Sequence, residues 1–244
     1  MHLSTWVGAS RLCAALAAAH FSLAPAFGAS LEVAPTKLVI DGKGATTLTL
    51  ANRGAEPIIV QIEGFSWEQA AGEDVLKPSK DVLVSPPMAR IPPGGKQTVR
   101  VMVKPGGEVG KERTYRILAS ELPDPVTNDP RTIRVLLQFN IPVFAGVPPK
   151  SAPQVAWDAS AGPGGLALSA RNAGGAHVKF TKLELISASG KRTPVKSKGV
   201  PYVLAGATRN WTISGAYGAG EKLIVEARAD GSDAVIRETV VVRR

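Results

Sequence analysis

The sequence predicts an all-β protein built as two immunoglobulin-like β-sandwich domains joined at an angle, with a cleft between them. Three observations carry this reading. Val, Ile, Leu and Thr fall in short alternating runs, the mark of strands with one buried face. The runs are separated by Gly, Pro, Asn and Asp, and 25 Gly and 19 Pro in 244 residues supply turns rather than helices. A Pro-rich break, Val147 to Pro153, divides two strand-rich stretches and reads as a stiff linker.

Residues 1–28 read as a signal peptide. Arg11 supplies positive charge, Leu12 to Ala19 form a short apolar stretch, and Ala24, Ala26, Gly28 and Ala29 are small. The stretch is shorter than the roughly 20 residues a spanning helix needs, and no later segment is long and apolar enough to cross a membrane. Cys13 falls inside this signal, so the chain after it has neither a disulfide nor a thiol nucleophile.

The first domain is expected over 29–149. Leu31, Val33, Leu38 and Ile40 alternate around Pro35, which suits an edge strand or a bulge. Strands follow at Thr47 to Ala51, Pro57 to Trp67, Val82 to Val84, Gln97 to Val103, Thr114 to Leu122 and Arg131 to Phe144, with a turn at Gly72-Glu73-Asp74. Roughly seven strands in such a length is the count of an immunoglobulin-like sandwich. The second domain is expected over 150–244, with strands at Leu166 to Ala170, Val178 to Ile186, Trp211 to Ser214, Lys222 to Ala227 and Ala234 to Val242.

The formal charge is +9, spread along the chain rather than gathered in one run. Spread charge of this kind solvates strand faces, and no nucleic-acid motif accompanies it. A partner bearing carboxylates fits better than nucleic acid. Catalysis has little to build on. His2 and His20 fall in the signal, leaving His177 beside a Gly-Gly turn, and no metal-ligand, paired-carboxylate or phosphate-cradling motif is present. The chain therefore reads as a non-enzyme with no cofactor and no metal.

Binding is better supported. In Arg131 to Phe144, the residues Ile133, Val135, Leu137, Phe139 and Ile141 share one face at period two. They either fill the domain's own core or present a strand to a partner. A long apolar edge after the Pro- and Asp-rich stretch at 123–130 invites a partner to cover it.

These segments, in this order, resemble the periplasmic pilus chaperones of the chaperone–usher family. T-K-L-V-I-D-G at 36–42, N-R-G-A-E-P-I-I-V-Q at 52–61, E-L-P at 121–123 and I-P-V-F at 141–144 follow the family's first domain. S-P-P-M-A-R-I-P-P-G-G-K-Q-T-V-R at 85–100 is the most specific stretch. The F-S-W-E-Q-A-A-G-E-D block at 65–74, together with I-P-V-F, is similar to the archaic, spore-coat-type branch.

The resemblance implies a mechanism. The last strand of the first domain enters the groove of a pilus subunit whose immunoglobulin-like fold is incomplete, by donor-strand complementation. The subunit is then passed to an outer-membrane usher. It also implies that two basic residues grip the subunit's terminal carboxylate. The first matches Lys37. The second falls on Pro142, a departure, and Arg90 is the substitute this reading names. The rival is a secreted two-domain adhesin or carbohydrate-binding sandwich, which predicts surface aromatics near loops; Trp67, Trp211, Tyr202 and Tyr217 are available for this but do not cluster in the sequence.

Overall fold

The computed structural model describes residues 31–41, 44–108, 110–123, 135–146, 151–197 and 199–244. The 1–28 segment, Ile133 and residues 147–150 of the break lie outside them. The described chain forms two successive sandwiches with separate cores.

The first sandwich holds β1 (Leu31–Ala34), β2 (Leu38–Ile40), β3 (Ala45–Asn52), β4 (Ile58–Ala70), β5 (Glu73–Pro78), β6 (Val82–Ser85), β7 (Met88–Ile91), β8 (Lys96–Val103), β9 (Arg113–Leu122) and β10 (Gln138–Ala145). One sheet runs β1-β3-β8-β6, and the other runs β2-β10-β9-β4-β5 with β7 also on β4. The period-two pattern sorts their faces: Leu48, Leu50, Val99 and Val101 meet Ile62, Val60, Ile117 and Val143 in one core. The chain changes sheet at Pro35, between β1 and β2, and at Pro86, between β6 and β7. Both prolines follow cis peptide bonds. A residue with no N–H fits these points because neither ladder needs a donor there.

The turn at Gly72 is a two-residue hairpin. Ala70 pairs with Glu73, so Ala71 and Gly72 make the turn, with φ of 53° and 83°. Positive φ at both positions is the geometry that matches strand twist. Glu73 and Asp74 therefore open strand β5 rather than closing a loop.

The second sandwich holds β11 (Val155–Gly162), β12 (Gly165–Asn172), β13 (Val178–Ile186), β14 (Arg192–Pro194), β15 (Tyr202–Val203), β16 (Thr208–Ile213), β17 (Lys222–Ala229) and β18 (Val235–Arg243). Their order is β14-β13-β17-β18-β11-β12-β16, with β15 on β13. Leu166, Leu168, Phe180, Trp211, Val225 and Val240 belong to its core. Strand β18 pairs with β17 from Val235 to Val241 and then with β11 through Val242 and Arg243. That switch of partner links the two layers.

A third cluster joins the sandwiches. Trp67 and Phe144 from the first meet Tyr202 and Leu204 from the second. Trp67 lies edge-on to Tyr202, with ring centroids 5.3 Å apart at 89°, a favoured aromatic geometry.

Candidate functional site

Strand β10 has two unlike sides. On one, β9 pairs with it along its whole length, from Gln138↔Ser120 to Ala145↔Arg113. On the other, β2 pairs with Val143, Phe144 and Ala145 alone. Among the described residues, 138–142 therefore present an open edge. The Glu121 N–H donates to the Leu137 carbonyl at 2.8 Å, which sets odd-numbered residues toward β9 and even-numbered ones toward the open edge. Gln138 and Asn140 thus offer both an N–H and a carbonyl to an added strand. Pro142 offers a carbonyl only.

Burial falls off along this strand. Ile141 is 3% exposed and sits in the core, with Val143 and Ala145 behind it. Leu137 and Phe139 are half-buried against that core, and Val135 is 78% exposed. This corrects one expectation: Ile141 fills its own domain and is not free to enter a partner. The strand also begins at Gln138, and 135–137 run up to it without pairing as strand. Val135, Leu137 and Phe139 remain the apolar side chains with surface to give, while Ile133 lies outside the described residues.

Lys37 immediately precedes β2. Leu38 is the register partner of Val143, so Lys37 stands beside Pro142 where the open edge stops. It is exposed. No hydrogen bond or salt bridge engages its ammonium among the described residues. Arg90 lies elsewhere. It belongs to β7, opposite Ile59 of β4, across the sheet from β2 with β10, β9 and β4 between. At about 4.8 Å per strand, four spacings put the two residues about 19 Å apart across the sheet alone. The expected Lys37–Arg90 pair does not converge, because β7 docks on the far edge.

The base nearest Lys37 along the row is one that pattern reading passed over. Arg116 of β9 is the register partner of Pro142. Its neighbours Tyr115 and Ile117 fill the core, so Arg116 takes the sheet's outer face. There its guanidinium stacks 3.6 Å from the Trp67 ring and 5.6 Å from that of Tyr202. Desolvation pulls its pKa down, opposed by the charge of Asp74. A lone Arg in an alternating strand carries no sequence signal; the register gives it one.

The seam below this row is tightly bonded. Asp74 accepts from Trp67 Nε1 at 3.1 Å and Gln69 Nε2 at 2.9 Å, and pairs with Arg209 Nη1 at 2.8 Å. Gln69 also donates to the Tyr202 carbonyl and accepts from the Leu204 N–H. The buried Glu112 carboxylate takes the His177 N–H at 2.6 Å and lies 2.9 Å from its Nδ1. The His177 ring stacks on Phe144 at 3.5 Å. His177 thus has a structural place. A cavity of about 460 Å³ opens along the seam, lined by Gln69, Glu112, Thr114 and Leu204 among others.

The family model for the N-terminal domain of PapD, described as a pili and flagellar-assembly chaperone, matches residues 30–151, half of the chain. The chaperone protein FimB/FhaD of Bordetella pertussis is 30% identical over 132 residues, covering 50% of each chain. The match spans half the length of that curated relative. Among solved structures, the CsuC–CsuE chaperone–tip adhesion subunit complex from archaic Csu pili of Acinetobacter baumannii superposes with a TM-score of 0.68 at 20% identity. That match covers 88% of this chain and 100% of the other. The E. coli chaperone DraB gives 0.61 at 19% identity, covering 87% and 96%. A two-domain fold of that kind and a family match over the entire first sandwich make this chain a member of the PapD-type pili and flagellar-assembly chaperone family.

Proposed function

We propose that this protein is a periplasmic chaperone that binds pilus subunits by donor-strand complementation along β10 and delivers them to an outer-membrane usher. We take 29–149 and 150–244 as its two domains and 1–28 as the signal that exports it. One observation carries the reading: the open edge of β10 at 138–142, with half-buried Leu137 and Phe139 and exposed Val135 leading into it. An added strand gains backbone pairing from Gln138 and Asn140, and its partner groove gains these apolar side chains. Fully burying a side chain of this size contributes about 1.5–3 kcal/mol.

The edge also favours one direction. From Val143 onward β2 occupies it, so an added strand must end beside Lys37. A cation there suits a chain's terminal carboxylate and repels an amino terminus, which selects a strand running parallel to β10. The 65–74 block and the fit to the archaic CsuC favour the archaic branch.

The sugar-binding rival loses three of its four aromatics. Trp67 and Tyr202 are sealed in the seam, and Trp211 packs with Trp157 in the second core. Copurification from the periplasm of the native host tests the proposal. A bound protein with an incomplete immunoglobulin-like fold is the expected result; a bound glycan, or no partner, overturns it.

A further inference from the structure

We infer that the outer face of the second sandwich's β14-β13-β17-β18 layer docks on a membrane surface that carries anionic lipid headgroups. This goes beyond the function proposed above and uses no residue of β10. Three observations lead to it.

The first is charge. Residues 150–244 carry 14 Lys and Arg against 7 Asp and Glu, whereas 29–149 carry 14 against 13. Such an asymmetry between halves points to an anionic partner for the basic half. The bases form no run in the sequence; strand pairing gathers five of them on one face. Arg192 pairs with Ile186, which pairs with Ile224. Lys182 pairs with Arg228, which pairs with Val235. Glu184, Glu226 and Arg237 form the row between, and Lys222 with Val241 the row at one end. Four strands and four rows make a patch about 14 by 20 Å.

The second observation is depth. The two carboxylates in these rows are recessed: the side chains of Glu226 and Glu184 are 6% and 16% exposed, against 44% to 64% for Arg192, Lys182 and Arg237. Arg192 and Arg237 both donate to Glu226, and Arg192 also to Glu184. The acids therefore fix the cations in place and show little charge of their own. Lys222 and Arg228 are exposed and form no ion pair among the described residues. What faces outward is cationic.

The third is the apolar part of the same face. Ile224, Val235 and Val241 are 37%, 45% and 49% exposed. They are interleaved with the cations, Val241 opposite Lys222 and Val235 opposite Arg228. A folded protein partner is met by a contiguous apolar core inside a polar rim. These rows hold no aromatic side chain for a nucleic-acid base to stack on. A headgroup layer takes separate aliphatic side chains and cations together, the charges among the phosphates and the methyl groups just below them.

The test is cosedimentation of the protein with vesicles of phosphatidylcholine alone and of phosphatidylcholine with an equal amount of phosphatidylglycerol. Binding to the mixed vesicles only, released by added salt, is expected. Lys222→Gln and Arg228→Gln should each weaken it about fivefold, the equivalent of about 1 kcal/mol per charge. Val241→Ser should weaken it as well, without changing its salt dependence. Leu137→Ala should leave it unchanged, which separates this surface from the β10 edge. All the substituted side chains on this face are exposed, and an unchanged circular dichroism spectrum shows that the fold stands. Equal binding to both kinds of vesicle, or wild-type binding by the two Gln variants, overturns the inference. So does failure to bind the mixed vesicles; retention on polyglutamate in that case assigns the face to an acidic protein instead. None of these outcomes bears on subunit capture, so the chaperone function stands or falls by its own test.

Discussion

Each sandwich ends on a long, Val- or Ile-bearing strand, and the two strands have opposite fates. Strand β18 lies between β17 and β11, its Val240 and Val242 buried in the second core. Strand β10 is covered on one side and, among the described residues, open on the other over 138–142. Apolar alternation is shared by both; what differs is the neighbour. An alternating pattern thus reports that a strand has a buried face, and only the sheet order reports whether its edge is spare. A spare apolar edge is a hazard that most folds remove, and it is the feature on which the proposed subunit binding rests.

The largest expected effect comes from placing a charge on each strand. Leu137→Asp should abolish subunit capture and leave the protein folded, whereas Val240→Asp should unfold the second sandwich. Copurification scored beside far-ultraviolet circular dichroism separates the outcomes. Unfolding of Leu137→Asp would break the comparison, because β10 would then be an ordinary core strand.

Within β10 the contrast sharpens. Ile141→Ala removes a fully packed side chain and should cost about 2–5 kcal/mol of stability. Leu137→Ala, on a half-exposed residue, should cost less than half of that and should weaken capture more. Urea unfolding midpoints read the first quantity and subunit titration the second.

This division shows what the sequence made legible. The alternation through Val135, Leu137, Phe139 and Ile141 located the strand, but periodicity is identical for a core face and a donor face, so Ile141 was grouped with its neighbours. Pro35 marked a break that proved to be a change of sheet. Strand β11 was missed because Ala156, Asp158 and Ser160 give weak alternation; its place between β18 and β12 makes it a strand. Arg116, Trp67 and Tyr202 lie far apart in the chain, and nothing in local spacing brings them together. Only resemblance points to Lys37, and Arg90 sits on β7, four strands across the sheet from it.

A smaller effect is expected at the seam. Asp74→Ala would leave Arg209, whose side chain is nearly out of solvent, without its carboxylate, and would strip Trp67 and Gln69 of an acceptor. The expected cost is about 2 kcal/mol. Calorimetry should show one unfolding transition separating into two as the sandwiches uncouple; a single unshifted transition would show that the seam contributes nothing.

The smallest effect is an acid-side one confined to the second sandwich. Hydrogen bonds from Arg237 and then Arg192 hold the Glu226 carboxyl below its ordinary range. Because the folded value lies under the unfolded one, the stabilisation is complete above about pH 4.5 and is lost as pH falls through the lowered folded value. Glu226→Gln should lower the melting temperature at neutral pH and flatten its fall on acidification. Parallel curves for the two proteins would remove Glu226 from the acid response.

The fall of burial along β10 has a consequence for how such a protein can diversify. Its last residues, from Ile141 to Ala145, are foundation: they close a core and, through Phe144, the seam. Its first residues are tool, holding few contacts of their own. Under the proposed function, changes at 135–139 retune which grooves the strand fits at little cost to folding, while changes at 141–145 are answered at once by instability. One strand thereby separates innovation from integrity along its length, and new cargo preferences can be explored without first securing a sturdier scaffold.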